Sequence, residues 1–573
     1  MRRLWSFQHH DHFAVRGPGA ERDRRRRWGR PGDLRIMSTS GSPLTEDEIE
    51  LFNETLAAAQ AGDLTKAFFL AGAGLHHGLS HPLFYKLRGL EHEQSGRPAE
   101  AEADFRTALE AAPGDFTVHD MLGLTLSEQG RLEEALGALD EALRLRGDYA
   151  PALVNRGWVL ENLGDIAGAR RDYRRAIEAD KGSVRAHAGL ALLAARAGQW
   201  ADARQAAEAT LAIARGDPGG RLALAMAALG EGDPAAAIAE AQGLLADPSL
   251  HPQEQGVAHT VIGDALDRQD KPAEAFAAYE QANATLRTLY APRFEGAGGL
   301  AVVERLGRAF AAAKGADWSA RPGASPAAGH AFVLGFPRSG TTLVGQVLDA
   351  HPQVTTLDEL ETLAQPGVEF MSDEDGLARL AAATPAELDG YRQAYWRRVA
   401  DFGAEVEGKT FVDKLPMNTI GLPLIAKLFP AAKVLFVRRD PRDVVLSCFR
   451  RQFVVNGASW EFLTLEGTAR FYDAVMRLAR DYLATLPLDV HVLPYEQLVA
   501  DVPTETGRLA AFLGLPQDAA MSAFAGAARA ADIATPSAAQ VAGGIFGEGV
   551  GQWRRYEAQL APVMPILEPW IED

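Results

Sequence analysis

The chain is 573 residues long, too long for one ordinary domain, and its 47% hydrophobic and 23% charged content suits units that each bury a core. A formal net charge of −18 argues against a general nucleic-acid binder, and the lone Cys448 excludes an intrachain disulfide and points to a reducing, cytoplasmic setting. No run of ~20 apolar residues occurs, so no membrane-spanning helix is expected.

The first 36 residues differ in composition from the rest: ten Arg against four acids, Arg24 to Arg27 consecutive, and no apolar core of a secretory signal. Residues 1–44 are expected to be a disordered extension, and a translation start at Met37 would leave the remainder at −24.

Residues 45–290 carry a repeat. Gly62, Gly96, Gly130, Gly164, Gly198 and Gly232 follow one another at 34 residues, and five positions after each stands Ala67, Ala101, Ala135, Ala169, Ala203 or Ala237. Gly89, Gly123 and Gly157 form a third column. This predicts helix–turn–helix units stacked as an all-α solenoid, with the six glycines at turns and the alanines where two helices meet. Segments such as Asn155-Arg-Gly-Trp-Val-Leu-Glu-Asn-Leu-Gly-Asp resemble the tetratricopeptide repeat, and Gln253–Leu289 reads as a further repeat in altered register. Such an array presents a concave groove for a peptide or protein partner, with a rigid spacer or dimerisation arm for the C-terminal domain as the alternative. Residues 291–329 read as a linker with a short amphipathic helix (Leu300–Ala313).

From 330 to 573 apolar strands alternate with helical patterns, the mark of an α/β domain with a central parallel sheet. Phe332-Val-Leu leads into Gly335-Phe-Pro-Arg-Ser-Gly-Thr-Thr, a phosphate-loop spacing that carries Thr341 where a nucleotide-hydrolysing loop places lysine. Arg338 is the nearest basic group. The strand Thr410-Phe-Val ends at Asp413-Lys414, and the strand Lys433-Val-Leu-Phe-Val ends at Arg438-Arg439, with Ser447 on the helix that follows. Arg338, Lys414 and Arg439 thus follow strand ends, where open parallel sheets bind ligands. Arg439 and Ser447 suit a second phosphate, which suggests a 3′,5′-bisphosphate. His351, before Pro352, reads as a turn residue, and His491 and Cys448 read as core.

Together these motifs resemble the sulfotransferases, over 331–556. Phe336-Pro-Arg-Ser-Gly-Thr-Thr is similar to the loop that binds the 5′-phosphosulfate of 3′-phosphoadenosine 5′-phosphosulfate (PAPS), and Val437-Arg-Arg-Asp-Pro-Arg-Asp-Val-Val-Leu-Ser to the segment that binds its 3′-phosphate. Phe411-Val-Asp-Lys-Leu-Pro-Met-Asn resembles the intervening block of repeat-containing bacterial sulfotransferases, and the order matches the tyrosylprotein sulfotransferase group. The resemblance implies PAPS as donor and no metal. It assigns Arg338, Ser339, Gly340, Thr341 and Thr342 to the 5′-phosphosulfate, and Arg439 and Ser447, with Arg451 as a weaker candidate, to the 3′-phosphate. It places Tyr495 near the nucleotide, Lys414 on the sulfonate and Glu359 as the base, with Asp358 and Glu361 as rivals for that last role. The acceptor would be a hydroxyl on a protein tyrosine, a carbohydrate or a small molecule.

One departure concerns Gly547-Glu-Gly-Val-Gly-Gln-Trp553-Arg-Arg-Tyr, which lacks the basic pair that cytosolic sulfotransferases place ahead of the Gly-x-Trp. Arg554 or Arg555 substitutes for it, or donor affinity is weakened, and Gly543–Gly551 is expected to be a mobile loop over the donor. An ATP-dependent kinase and a non-catalytic, bisphosphate-binding scaffold are the alternatives. The kinase would need lysine at 341 and a metal-binding Asp at a strand end.

Overall fold

The computed structural model describes residues 37–38, 45–523 and 549–571; the expected extension at 1–44, apart from residues 37–38, and the loop residues 543–548 lie outside the described residues. The chain divides after Ala227 into two compact units.

The first unit is a run of antiparallel helix pairs, among them Pro82–Gln94 with Pro98–Ala111, Phe116–Glu128 with Leu132–Leu145, and Ala150–Leu163 with Ile166–Ala179. The six glycines of the 34-residue column, the last of them just past the division, have φ between 69° and 90°. That left-handed backbone between paired helices is open to glycine at little steric cost. The alanine column is fully buried: Ala67, Ala101, Ala135, Ala169, Ala203 and Ala237 are each 0% exposed. The third column marks close helix approach, since a Cβ on Gly89 would stand 2.5 Å from the Phe105 ring.

In the second unit two further helices, α1 (Pro252–Arg268) and α2 (Pro272–Phe294), continue the helical-hairpin pattern. Here the turn position falls out of register and Asp270 takes the left-handed conformation instead, with φ 57°. The stretch 291–329, expected as a linker with a short helix, places its helix Gly299–Ala312 in this unit's core, where Val303, Leu306 and Phe310 are buried.

Five parallel strands form the second unit's sheet: β1 (Gly329–Gly335), β2 (Val354–Asp358), β3 (Thr410–Lys414), β4 (Lys433–Arg438) and β5 (Asp489–Pro494), in the order β2-β3-β1-β4-β5. Alternate residues of β1 serve opposite faces. Phe332 and Leu334 join one core with Phe411 and Phe436, while Ala331 and Val333 join another with Val412 and Leu435. Helices cover both faces of such a sheet, which is why its central strands are continuously apolar. The edges differ. Val492 on β5 is 43% exposed, and His491, expected in the core, is half-buried against the Phe512 ring. β2, rich in threonine and also at an edge, was not among the expected strands.

Candidate functional site

The apolar drive of β1 ends at Gly335, and the loop turns into α3 (Thr341–Asp349) through Gly340, whose φ is 104°. The first turn of a helix leaves N–H groups without intrahelical partners, a ready cradle for an anion. The Tyr495 ring lies directly against Gly340, so that a side chain at 340 would collide with it. Arg338 holds φ 68°, a conformation that costs an L-residue ~1–3 kcal/mol and persists where the surroundings impose it. Ser339, Thr341 and Thr342 are buried, and Ser339 Oγ has no hydrogen-bond partner among the described residues. A buried hydroxyl left in that state suits a ligand oxygen.

A second set of groups stands beside the loop. Arg338 Nε donates to Ser447 Oγ at 3.0 Å, Ser447 being on α4 (Pro441–Arg450). Arg439 Nη1 donates to Arg338 O at 2.9 Å, its Nη2 donates to Gly549 O, and its guanidinium sits 4.9 Å from the Tyr495 ring centroid. The buried Arg439 Nε has no partner among the described residues. Burial, with repulsion from Arg451 and Arg439, pulls the Arg338 guanidinium down to about 10. A desolvated cluster of cations is stabilised by an anion.

Two of the candidate cations already have carboxylate partners. Arg451, the weaker phosphate candidate, is engaged with Asp264 at 2.8 Å. Arg555, a possible substitute for the absent basic pair, donates to Asp267 Oδ1 and to Asp267 O, each at 2.7 Å, while Arg554 lies over the Trp553 ring. The Gly-x-Trp turn is held instead by the Asp443 carboxylate, which accepts from Gly551 N at 2.7 Å and Trp553 N at 2.8 Å.

On the other side of the loop, β2 and β3 pair Asp358 with Lys414 at their carboxyl ends. Lys414 is 1% exposed and its stem passes 3.7 Å from the position a Cβ on Gly345 of α3 would occupy. Its ammonium contacts Asp358 Oδ1 and donates to Glu359 Oε1 at 2.8 Å. Glu359 has φ 53°, and its N–H donates to Lys414 O at 2.7 Å. Its negative charge is felt at Arg338, across the loop. Burial raises the Asp358 carboxyl, against the pull of Lys414. Asp413, next to Lys414 in sequence, points elsewhere: its Oδ2 accepts from Thr362 Oγ1 at 2.5 Å and Tyr395 O–H at 2.9 Å, and burial pushes it up to about 6. Arg398 Nε secures the same acidic turn through Glu361 O at 2.6 Å.

All five strands therefore end at the site. Arg338 follows β1, Glu359 follows β2, Lys414 closes β3, Arg439 follows β4 and Tyr495 follows β5. Three positive-φ residues other than glycine occur among the described residues, and two of them are Arg338 and Glu359. Cys448 lies in the core beneath the loop and donates to Pro337 O, and His351 is a turn residue whose Nδ1 accepts from Gln353 N. Sequence reasoning missed Asp443 and the Thr362–Asp413–Tyr395 chain, for which only an acid after Pro-Arg and an acid before Lys414 were visible. No three His, Cys, Asp or Glu among the described residues gather as a metal-holding group. No helix among them is long and apolar enough to cross a membrane.

A model of the sulfotransferase family matches residues 331–519, and the tetratricopeptide repeat matches 86–150 and 154–218. An uncharacterized Aquifex aeolicus protein is 29% identical over 246 residues, 41% of this chain and 32% of that protein. Protein-tyrosine sulfotransferase 1 of Danio rerio is 31% identical over 131 residues, 22% of this chain and 37% of that protein. The Mus musculus protein of the same name is 34% identical over 132 residues, covering 22% and 35%. The chain thus spans about a third of the length of these relatives. A solved tetratricopeptide repeat protein from Parabacteroides merdae aligns with TM-score 0.34 and 21% identity, over 42% of this chain and 94% of that one.

Proposed function

We propose, from the match of residues 331–519 to the sulfotransferase family in a chain that also matches the tetratricopeptide repeat, that the protein transfers a sulfuryl group from PAPS to an acceptor hydroxyl. The observation that carries this reading is the meeting of Arg338, Glu359, Lys414, Arg439 and Tyr495 at the carboxyl ends of the five strands, with two buried polar atoms, Ser339 Oγ and Arg439 Nε, without a hydrogen-bond partner among the described residues.

The residues present fit the donor's two phosphate groups. The Arg338–Thr342 loop and the first turn of α3 would hold the 5′-phosphosulfate, with Ser339 Oγ taking a ligand oxygen. Arg439 Nε and Ser447 Oγ would hold the 3′-phosphate, with Tyr495 flanking the nucleotide. The donor supplies an activated sulfuryl group on a phosphate leaving group. The chain's task is to stabilise the charge that develops on that leaving oxygen and to remove the proton of the attacking hydroxyl. Lys414 Nζ, buried and already held by two carboxylates, serves the first need, because an ammonium in a water-poor site acts strongly on developing charge. Glu359 Oε serves the second. About a third of its side chain is exposed to solvent, where an acceptor could reach it, and general-base assistance of this kind is worth ~10²–10⁴-fold.

Protein tyrosine is the acceptor we infer, since the characterised relatives bear that name and a repeat array gives a groove for a protein chain. Isothermal titration tests the donor. Adenosine 3′,5′-bisphosphate binding tighter than adenosine 5′-phosphate supports the reading. Tight Mg·ATP binding with none of the bisphosphate overturns it in favour of a kinase.

A further inference from the structure

The helical hairpin α1–α2 bears on the donor site through one carboxylate. Asp267, on the last turn of α1 and mostly buried, accepts from Arg450 Nη2 at 2.8 Å, Arg555 Nη1 at 2.7 Å and the Tyr556 O–H at 2.6 Å. These partners come from two separate segments. Arg450 closes α4, the helix that carries Ser447, whereas Arg555 and Tyr556 belong to the stretch whose Gly549 O accepts from Arg439. Asp264, three residues earlier and hence on the same helix face, takes Arg451 at 2.8 Å. From α2, Asn283 Nδ2 caps Phe449 O at 2.9 Å, and Phe276 stacks on the Phe449 ring at 5.0 Å. The other end of α4 is clamped by Asp443 to the Gly551–Trp553 turn.

We propose that Asp267 is a positioning residue for the donor's 3′-phosphate, holding α4 and the 549–556 stretch together so that Ser447 and Arg439 present a preformed phosphate site. The inference rests on the sulfotransferase reading above and deepens it. Its physical basis is that a carboxylate accepting three bonds in a largely desolvated setting fixes its partners, and a phosphate site set by rotamer and register loses affinity when its frame loosens. The chain thus replaces the basic pair missing before Gly-x-Trp with a tether: Arg555 is spent on Asp267, and the tether keeps Arg439 and Ser447 in place. It also makes the last helical hairpin a part of the donor site.

The test uses the full chain and two ligands, adenosine 3′,5′-bisphosphate and adenosine 5′-phosphate, whose affinity ratio isolates the 3′-phosphate. Asp267→Asn is expected to lower that ratio about tenfold while adenosine 5′-phosphate binding changes little. Tyr556→Phe, which removes one bond to Asp267 without changing shape, is expected to lower it about threefold and serves if Asp267→Asn does not fold. A merely structural role would weaken both ligands alike and leave the ratio unchanged, and that result overturns the inference. If the parent protein itself shows no preference for the bisphosphate, the sulfotransferase reading fails first, and the two failures are told apart.

Discussion

Replacing Glu359 with glutamine keeps the shape of the side chain and its capacity to accept the Lys414 bond at 2.8 Å, while removing the charge and the basicity. The cost in stability is bounded: Glu359 is 36% exposed and Asp358 remains on the buried Lys414, so the loss falls between the ~0–1 kcal/mol of a screened surface pair and the ~3–5 kcal/mol of a fully buried one. The cost in catalysis is large if Glu359 takes the acceptor's proton. A loss of ~10²–10⁴-fold in turnover corresponds to about 3–5 kcal/mol of barrier. Steady-state transfer from labelled donor, with titration of adenosine 3′,5′-bisphosphate beside it, should therefore show kcat for Glu359→Gln down by at least about 100-fold and Kd changed by less than about threefold. Asp358→Asn, at the strand end, should cost no more than about tenfold in kcat. The reasoning is refuted if Glu359→Gln keeps its turnover while Asp358→Asn loses it, or if both variants lose bisphosphate binding as Arg439→Ala does.

Arg439→Ala removes a guanidinium bonded to Arg338 O and Gly549 O and should weaken bisphosphate binding by at least about tenfold, read by titration. Burial raises Asp413 to about 6, so the folded state holds that proton more tightly than the unfolded chain and loses stability as pH rises from about 4 to about 6. Relative to the parent, Asp413→Asn should gain about 2 kcal/mol in the stability of the second unit between pH 4 and pH 7, measured by denaturant unfolding at both values. In the repeats, Gly96→Ala meets no atom within 4 Å but must hold φ 69°, a strain of ~1–2 kcal/mol. Gly89→Ala should cost about 1–3 kcal/mol by pressing on Phe105, and hydrogen exchange in the helix Pro98–Ala111 should report the second change more strongly than the first.

The repeat register was legible because each column answers to one local demand: left-handed φ at Gly62 and its successors, zero space at Ala67 and its successors. The two central strands β1 and β4 were equally legible, being continuous apolar runs buried on both faces. β2 was not. Val354–Asp358 is a threonine-rich edge strand, so neither alternation nor apolar run marks it, and its existence is what brings Asp358 and Glu359 to Lys414. Arg338, Lys414 and Arg439 could be placed at strand ends from spacing alone, and Tyr495 only through the family resemblance. Their supports could not, because Asp443 and Asp267 act over separations of about a hundred residues and more, which no local pattern encodes. The fate of Arg451 and Arg555 turned on those same distant carboxylates.

Transfer of radiolabelled sulfate from PAPS to protein in a cell extract tests the central claim most directly. The expected result is label on a tyrosine-containing protein with the parent chain and at least about 100-fold slower labelling with Glu359→Gln, at equal donor binding. Tight bisphosphate binding by the parent with no label on any acceptor would contradict it and leave a bisphosphate-binding scaffold.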